Sequence, residues 1–253
     1  MERKQKNKVI YCTVCLILVG ILIFSGIKIY KWYKENNSNS KIIEKVNEAI
    51  VIKEDEPKEN DKYIIDFELL KKQNSETVAW LKINNTKIEY PVVKTKNNDY
   101  YLTHSFDKSE NSAGWIFADY KNKFDGKDKN IIVYGHNRRD GSMFGSLKNI
   151  LSSKWYNNEE NRNIIFNVNG QNYTYRVFSV YQIEKEDYYI KTNFSSDNEY
   201  ENFLNTIRKR SVKDFKEDVS KDDTILTVST CANNNMYRVV LHAKKVIENE
   251  KYE

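Results

Sequence analysis

The chain has 253 residues, with 41 Lys and Arg against 36 Asp and Glu, a formal net charge of +5. Apolar residues at 40% and aromatic residues at 13% exclude a disordered chain, and eight Gly with two Pro exclude collagen-like and Pro-rich classes. In the first 30 residues Arg3, Lys4, Lys6, Lys8 and Lys28 stand against Glu2 alone, so the charge excess lies at the N-terminus and implies no basic face for nucleic acid.

From Val9 to Ile27 the chain is free of charge and rich in Ile, Leu and Val, bounded by Lys8 and Lys28. A helix rising about 1.5 Å per residue needs roughly 20 apolar residues to cross a bilayer. A cleaved signal peptide has a shorter apolar run, of about 7–15 residues, and a small-residue cleavage site. Here Ile-Lys-Ile-Tyr-Lys-Trp-Tyr follows instead. Residues 9–29 therefore read as an uncleaved signal-anchor, with residues 1–8 held in the cytoplasm by the positive-inside rule. Tyr30, Trp32 and Tyr33 stand where an interfacial aromatic belt would lie. The rest of the chain is then expected outside the cell.

Cys12 and Cys15 fall inside this span, where they read as small apolar side chains or acylation sites, not as a redox pair. Cys231 is left alone in an oxidising compartment, where structural cysteines come in pairs. An unpaired thiol there is a hazard or a working group.

Residues 30–60 read as an extracellular linker. Ile42, Ile43, Val46, Ala49 and Ile50 recur within it at helical spacing and predict a short amphipathic helix. Residues 61–253 read as one folded domain. Asp66 can cap a helix carrying Phe67, Leu69 and Leu70. Strand-like runs follow at Val78–Ile83, Lys87–Val93, Gly114–Ala118, Ile131–Tyr134, Ile164–Val168, Tyr173–Val180, Thr224–Ser229 and Tyr237–Lys245. Asn169-Gly170 marks a hairpin turn between two of them. Helical stretches are expected at Met143–Ile150 and Glu199–Arg208. About eight strands with few helices predict a mainly β domain, a closed or nearly closed barrel.

In Ile225–Cys231 the two-residue period sets Leu226 and Val228 on one face and Thr227, Ser229 and Cys231 on the other. The next strand has Val239, Leu241 and Ala243 facing the core, with Arg238, Val240 and His242 opposite. Pairing as a hairpin brings Cys231 and Arg238 together at its open end. A thiolate is the nucleophile, and a neighbouring cation lowers the thiol pKa while offering donors to an oxyanion. The nucleophile needs a proton carrier, and three histidines are available. His136 ends a fully apolar strand, where side chains project into sites. His104 lies in a less defined loop, and His242, in mid-strand, reads as structural. No metal-ligand spacing is present. Asp119, Asp125 and Asp128 are too loosely spaced for a calcium loop, and no glycine-rich nucleotide motif occurs. No cofactor is expected.

Thr227-Val228-Ser229-Thr230-Cys231 followed by Arg238 resembles the sortase active-site signature, with Val228 where Leu is usual. Tyr134-Gly135-His136-Asn137, running into Asp140-Gly141-Ser142-Met143-Phe144 and Leu147, resembles the catalytic-histidine region of class B sortases. So do Trp80-Leu81-x-Ile83 with Tyr90-Pro91-Val92-Val93, and Tyr100-Tyr101-Leu102 with Gly114-x-Ile116-Phe117-x-Asp119. These stretches span roughly residues 63–246.

The resemblance implies a sortase-type barrel and a cysteine transpeptidase of Gram-positive cell surfaces. Cys231 would attack the Thr carbonyl of a sorting signal of the Asn-Pro-x-Thr-x kind on a secreted protein. His136 would protonate the leaving amine, and Arg238 would stabilise the oxyanion. The N–H of the residue after the nucleophile, with Ser229 and Thr230, would complete the site. An amine of a lipid-linked peptidoglycan precursor would resolve the thioester. Two alternatives stand beside this reading: a cysteine peptidase that uses water, and a non-catalytic membrane-anchored surface module. The Ser-His-Gly-Cys string of Cys-type peptidoglycan transpeptidases is absent.

Overall fold

A computed structural model of the chain describes residues 2–53, 62–184, 186–231 and 237–246. They divide between Lys41 and Ile42 into two compact units. The first is built on helix α1 (Glu2–Asn47), which between Lys8 and Lys28 is apolar on every side: Ile10, Leu16, Leu22, Phe24 and Ile27 are all exposed. A helix apolar all round belongs in a core or in lipid. This one is long and apolar enough to cross a membrane.

The second unit begins at Ile42. Ile42, Ile43, Val46, Ala49 and Ile50 pack against its main core, but only Ile42, Ile43 and Val46 do so from a helix: α1 ends at Asn47, Ala49 lies in a turn and Ile50 opens a strand. Strands β1 (Ile50–Ile52) and β2 (Tyr63–Ile65) form an antiparallel ribbon that was not expected, because three residues each are too short to show a period. Helix α2 (Phe67–Gln73) starts where Asp66 Oδ1 accepts the Leu69 N–H at 2.9 Å, the expected cap.

The barrel strands are β3 (Thr77–Ile83), β4 (Ile88–Val93), β5 (Phe117–Ala118), β6 (Asn130–His136), β7 (Asn163–Val168), β8 (Gln171–Glu184), β9 (Ile225–Cys231) and β10 (Tyr237–Lys245). Short helix α3 (Ser153–Tyr156) precedes β7, and α4 (Asp197–Lys209) joins β8 to β9. The strands close in the order β10-β8-β7-β3-β4-β5-β6-β9. Neighbours are antiparallel except β4 with β5 and β6 with β9. Closure leaves the barrel itself without a free edge to pair with another chain.

Asn169 and Gly170, both at positive φ (51° and 88°), make the β7–β8 turn that Asn-Gly predicts. Two expectations are corrected. Only Phe117 and Ala118 of the run 114–118 pair as strand, since Gly114 turns the chain at φ 60°. The helix expected over 143–150 is instead a 3-10 turn at Leu147–Leu151, and Met143, at φ 51°, bridges back to Asn137.

The core has two parts. Leu81, Val92, Ile132, Phe166, Val177, Leu226, Val228, Val239, Leu241 and Ala243 belong to the main cluster. A second cluster lies on the other side of β8, β9 and β10. There Phe178, Tyr181, Ile225 and Val240 meet Tyr189 and the face of α4 formed by Tyr200, Phe203, Leu204 and Ile207. The spacing of those four helix residues is the stripe of a surface helix packed on a sheet. The strand periodicity is thus obeyed, but both faces of β9 are covered.

Candidate active site

Strands β6, β9 and β10 are consecutive in the barrel, and their register assembles the candidate residues at one end. β6 and β9 run parallel with Ile132 beside Thr227, Tyr134 beside Ser229 and His136 beside Cys231. β10 returns antiparallel to β9, paired from Lys244 opposite Ile225 to Val240 opposite Ser229, so Arg238 lies two residues beyond the last pair, at the end of the hairpin where β9 reaches Cys231. On its other side Arg238 pairs with Ile183 of β8. Residues 95 and 102 positions apart in sequence, His136 to Cys231 and His136 to Arg238, therefore share one rim. The residue after Cys231, Ala232, whose N–H was expected to complete the site, and the rest of the loop to Met236 lie outside the described residues.

His136 is buried, and its Nε2 donates to the Leu102 carbonyl at 2.7 Å. A carbonyl can only accept, so the neutral ring carries its proton on Nε2 and Nδ1 is the nitrogen left to take a second. Burial pushes the imidazole pKa below its ordinary value. The Leu102 carbonyl opposes that shift, and the charge of Arg138 adds to it. At neutral pH the ring is a neutral base.

The surroundings fix that ring. Gly114 adopts φ 60°, and a Cβ there would stand 2.9 Å from His136 Cδ2. Leu102 ends a 3-10 turn anchored by Tyr101, whose hydroxyl donates to Glu76 at 2.6 Å and accepts from Asn74 Nδ2 at 2.7 Å. On the other side the chain leaving His136 doubles back. Arg138 N and Phe144 N both donate to the His136 carbonyl at 3.0 Å, and Arg138 grips Asp140 and Ser142 at 2.9 Å each. The Asp140 carboxyl is held below its usual range by those same groups, against its own partial burial.

Arg238 is half-buried, and its Nε is buried with no hydrogen-bond partner among the described residues. A guanidinium N–H withdrawn from water and left unmatched costs free energy until an acceptor arrives. That is the state expected of a donor waiting for a substrate oxygen.

Ser229 and Thr230 are placed otherwise than as exposed donors. Both are fully buried. Ser229 Oγ bonds the Tyr189 hydroxyl at 2.9 Å, and Thr230 Oγ1 accepts the Val239 N–H at 3.0 Å. They bind β9 to its neighbours. His104 stacks on Tyr100 with ring centroids 4.0 Å apart, and its Nδ1 contacts the Tyr100 carbonyl at 2.8 Å. It belongs to the turn that presents Leu102. His242 is fully buried in mid-strand. Sequence reasoning missed the Leu102 carbonyl and the role of Gly114. A backbone acceptor has no side-chain signature, and only the positive φ of the glycine would have hinted at a close approach.

Among the described residues no cluster of three or more His, Cys, Asp or Glu side chains is placed to hold a metal ion. What the rim can do is nucleophilic acyl transfer: a thiol, a neutral imidazole in register with it and a cation across the hairpin.

Residues 81–246 match the family model described as Sortase domain. Over 237 residues the chain is 33% identical to Sortase B of Listeria monocytogenes, covering 92% of this chain and 96% of that one. The crystal structure of sortase B from B. anthracis is 35% identical with a TM-score of 0.73, over 85% of this chain and 99% of that one. A sortase B complexed with triglycine is 30% identical with a TM-score of 0.72, over 86% and 99% of the two chains.

Proposed function

The chain belongs to the sortase family of cysteine transpeptidases, and from that premise we propose that it is a membrane-anchored enzyme joining secreted proteins to the cell wall through Cys231, His136 and Arg238. The observation that carries this reading is the parallel register that sets His136 beside Cys231. In the proposed cycle the Cys231 thiol loses its proton to His136 Nδ1 as sulfur attacks the Thr carbonyl of an Asn-Pro-x-Thr-x signal. Arg238, with the Ala232 N–H, neutralises the charge that builds on that oxygen. The imidazolium gives its proton to the departing amine, the C–N bond breaks and a thioester remains. A second amine attacks the thioester while neutral His136 takes its proton. Collapse forms the new amide and releases the thiolate, which recovers that proton. Because the thioester keeps the acyl group activated, no nucleotide is needed.

His136 suits both half-reactions because burial keeps it neutral until a proton is delivered, while the Leu102 carbonyl holds its tautomer. Ser229 and Thr230 support the site by holding β9. The acceptor is the amine of a peptidoglycan cross-bridge on a lipid-linked precursor. That a relative has been crystallised with triglycine supports a small peptide amine. Residues 1–8 are proposed as the cytoplasmic tail, 9–29 as the span, 30–60 as the linker and 61–253 as the extracellular catalytic part. The all-round apolar surface of the helix and its flanking lysines support that topology. Confinement at the outer leaflet raises the effective concentration of signal and precursor together.

The test uses the full chain in detergent micelles with quenched Asn-Pro-x-Thr-x peptides and triglycine. The expected result is a mass increase on Cys231 equal to the acyl fragment, and a triglycine adduct of the product. The Cys231→Ala variant should form neither. Cleavage that ignores added amine would replace transpeptidation with hydrolysis, and cleavage by the Cys231→Ala variant would end the cysteine mechanism.

A further inference from the structure

The outer face of β9 and β10 holds a histidine that acyl transfer does not use. His242 is fully buried and ringed by Phe178, Tyr181 and Tyr189. The donors around it can be placed in order. Asn130 Nδ2 donates to the Lys191 carbonyl at 2.9 Å, which leaves Oδ1 facing Thr227. The Thr227 hydroxyl gives its one proton to that oxygen at 2.7 Å. Toward His242 Nδ1, at 2.9 Å, Thr227 can then only accept, so Nδ1 carries the ring proton. Nε2 is left to accept from the Tyr181 hydroxyl at 2.8 Å, and the Tyr181 oxygen accepts from Tyr188 at 3.1 Å. One arrangement of protons satisfies every member.

This chain of bonds leaves the segment between β8 and α4 at Tyr188, crosses β8, β10, β9 and β6, and returns to the same segment at Lys191. A second tie, Tyr189 to Ser229 at 2.9 Å, lands two residues before Cys231. The segment starts at the candidate site, since Ile183 and Glu184 at the end of β8 pair with Arg238 and Tyr237.

We propose that His242 is a positioning residue, holding Tyr188–Lys191 against the nucleophile strand so that this wall beside Arg238 is set before substrate arrives. The proposal rests on the reading of Cys231 as the nucleophile. The neutral imidazole is the form that fits, and burial pushes its pKa down to about 3. The groups facing it are Tyr181 of β8, Thr227 of β9 and Tyr189 of the segment, with Tyr188 behind Tyr181. Burial raises the Tyr181 and Tyr188 pKa values, so both stay as neutral donors. α4 contributes Phe203, Leu204 and Ile207, all apolar. The charges on this side are Arg210, 4.4 Å over the Tyr188 ring, and Glu186, paired with Arg210 at 3.4 Å.

The test compares the full-length protein with His242→Leu, Thr227→Val and His242→Gln. Leu and Val keep the bulk but cut the chain, whereas a Gln amide can accept from Tyr181 and donate to Thr227. The first two should raise the KM for an Asn-Pro-x-Thr-x peptide about tenfold and speed amide exchange at 187–192 by a similar factor, as loss of one buried hydrogen bond implies. Their kcat should stay within about twofold, the split that separates positioning from chemistry. His242→Gln should restore the wild-type KM. The double variant should be no worse than either single one, because both break the same chain. Unchanged KM and exchange in Thr227→Val, or a Gln variant as impaired as Leu, would overturn the proposal. If His242→Leu does not fold, Thr227→Val carries the test. Wild-type protein that turns over no peptide would sink the acyl-transfer reading instead, and exchange at 187–192 would still decide whether His242 holds the segment.

Discussion

The surroundings of His136 and His242 have much in common. Each ring sits on a barrel strand, each is buried, and burial pushes each pKa down. They differ in place and in the partners of their nitrogens. His136 ends β6 in register with Cys231, its Nε2 held by a backbone carbonyl. His242 lies in mid-β10 with both nitrogens spent on hydroxyls of the fold. Burial and a shifted pKa therefore do not by themselves mark a catalytic histidine. A strand end in register with a candidate nucleophile is the stronger sign, because there the strand supplies rigidity on one side and access on the other.

The largest contrast between the two regions should come from truncation. His136→Ala and Arg238→Ala should each lower kcat/KM by ~10²–10⁴, as loss of a proton carrier or an oxyanion donor does, with little change in Tm. His136→Ala with turnover near wild type would erase the distinction.

A subtler break is Gly114→Ala. Alanine at φ 60° costs roughly 1–2 kcal/mol in backbone strain, and its Cβ would stand 2.4 Å from the Tyr101 carbonyl oxygen and 2.9 Å from His136 Cδ2, so the turn that carries Leu102 must shift along with the ring. Displacing the ring by even a fraction of an ångström should lower kcat by about 10–100-fold. Steady-state kinetics with a crystal structure of the variant would read both effects.

Acid should act on the two regions together. Each histidine has a folded pKa below that of the unfolded chain, so below pH ~6.5 the unfolded state takes up protons that the native state refuses. Stability is full above that pH and falls by about 1.4 kcal/mol per unit for each group until its folded pKa is reached. For His242 that window extends to about 3. His242→Gln should flatten its share of the acid limb in a Tm–pH series, and an unchanged limb would show that His242 does not carry it.

The smallest expected effect is Tyr189→Phe. It removes the tie to Ser229 and should cost about 1 kcal/mol in denaturant unfolding. A much larger loss would mean the flank under α4 is less redundant than its several bonds suggest.

Much of this was legible in the sequence. The alternation in Leu226–Cys231 and Tyr237–Lys245 placed the right residues on the barrel interior, and Asn169-Gly170 marked its turn. Asp66 announced a helix start, and the run Glu199–Arg208 a helical stretch. Cys231 stood out because compartment left it alone, and His136 because an apolar strand ended on it. The ribbon at Ile50–Ile52 and Tyr63–Ile65 was invisible, since its pairing joins stretches too short to carry a period. Ser229 and Thr230 enter the site by family resemblance alone, and a motif shared with a family does not tell what covers a side chain.

The chain by itself determined its apolar N-terminal helix, its strand-rich class and its candidate nucleophile and base. Those follow from local patterns, where neighbours within a few residues decide the outcome. Only the tertiary structure decided that β6 lies parallel to β9 with His136 beside Cys231, that the Leu102 carbonyl holds the imidazole, and that Tyr189 and helix α4 cover the second face of β9. These depend on closing a barrel, in which a one-residue slip of register would move every side chain to the opposite face and leave the same sequence without a site.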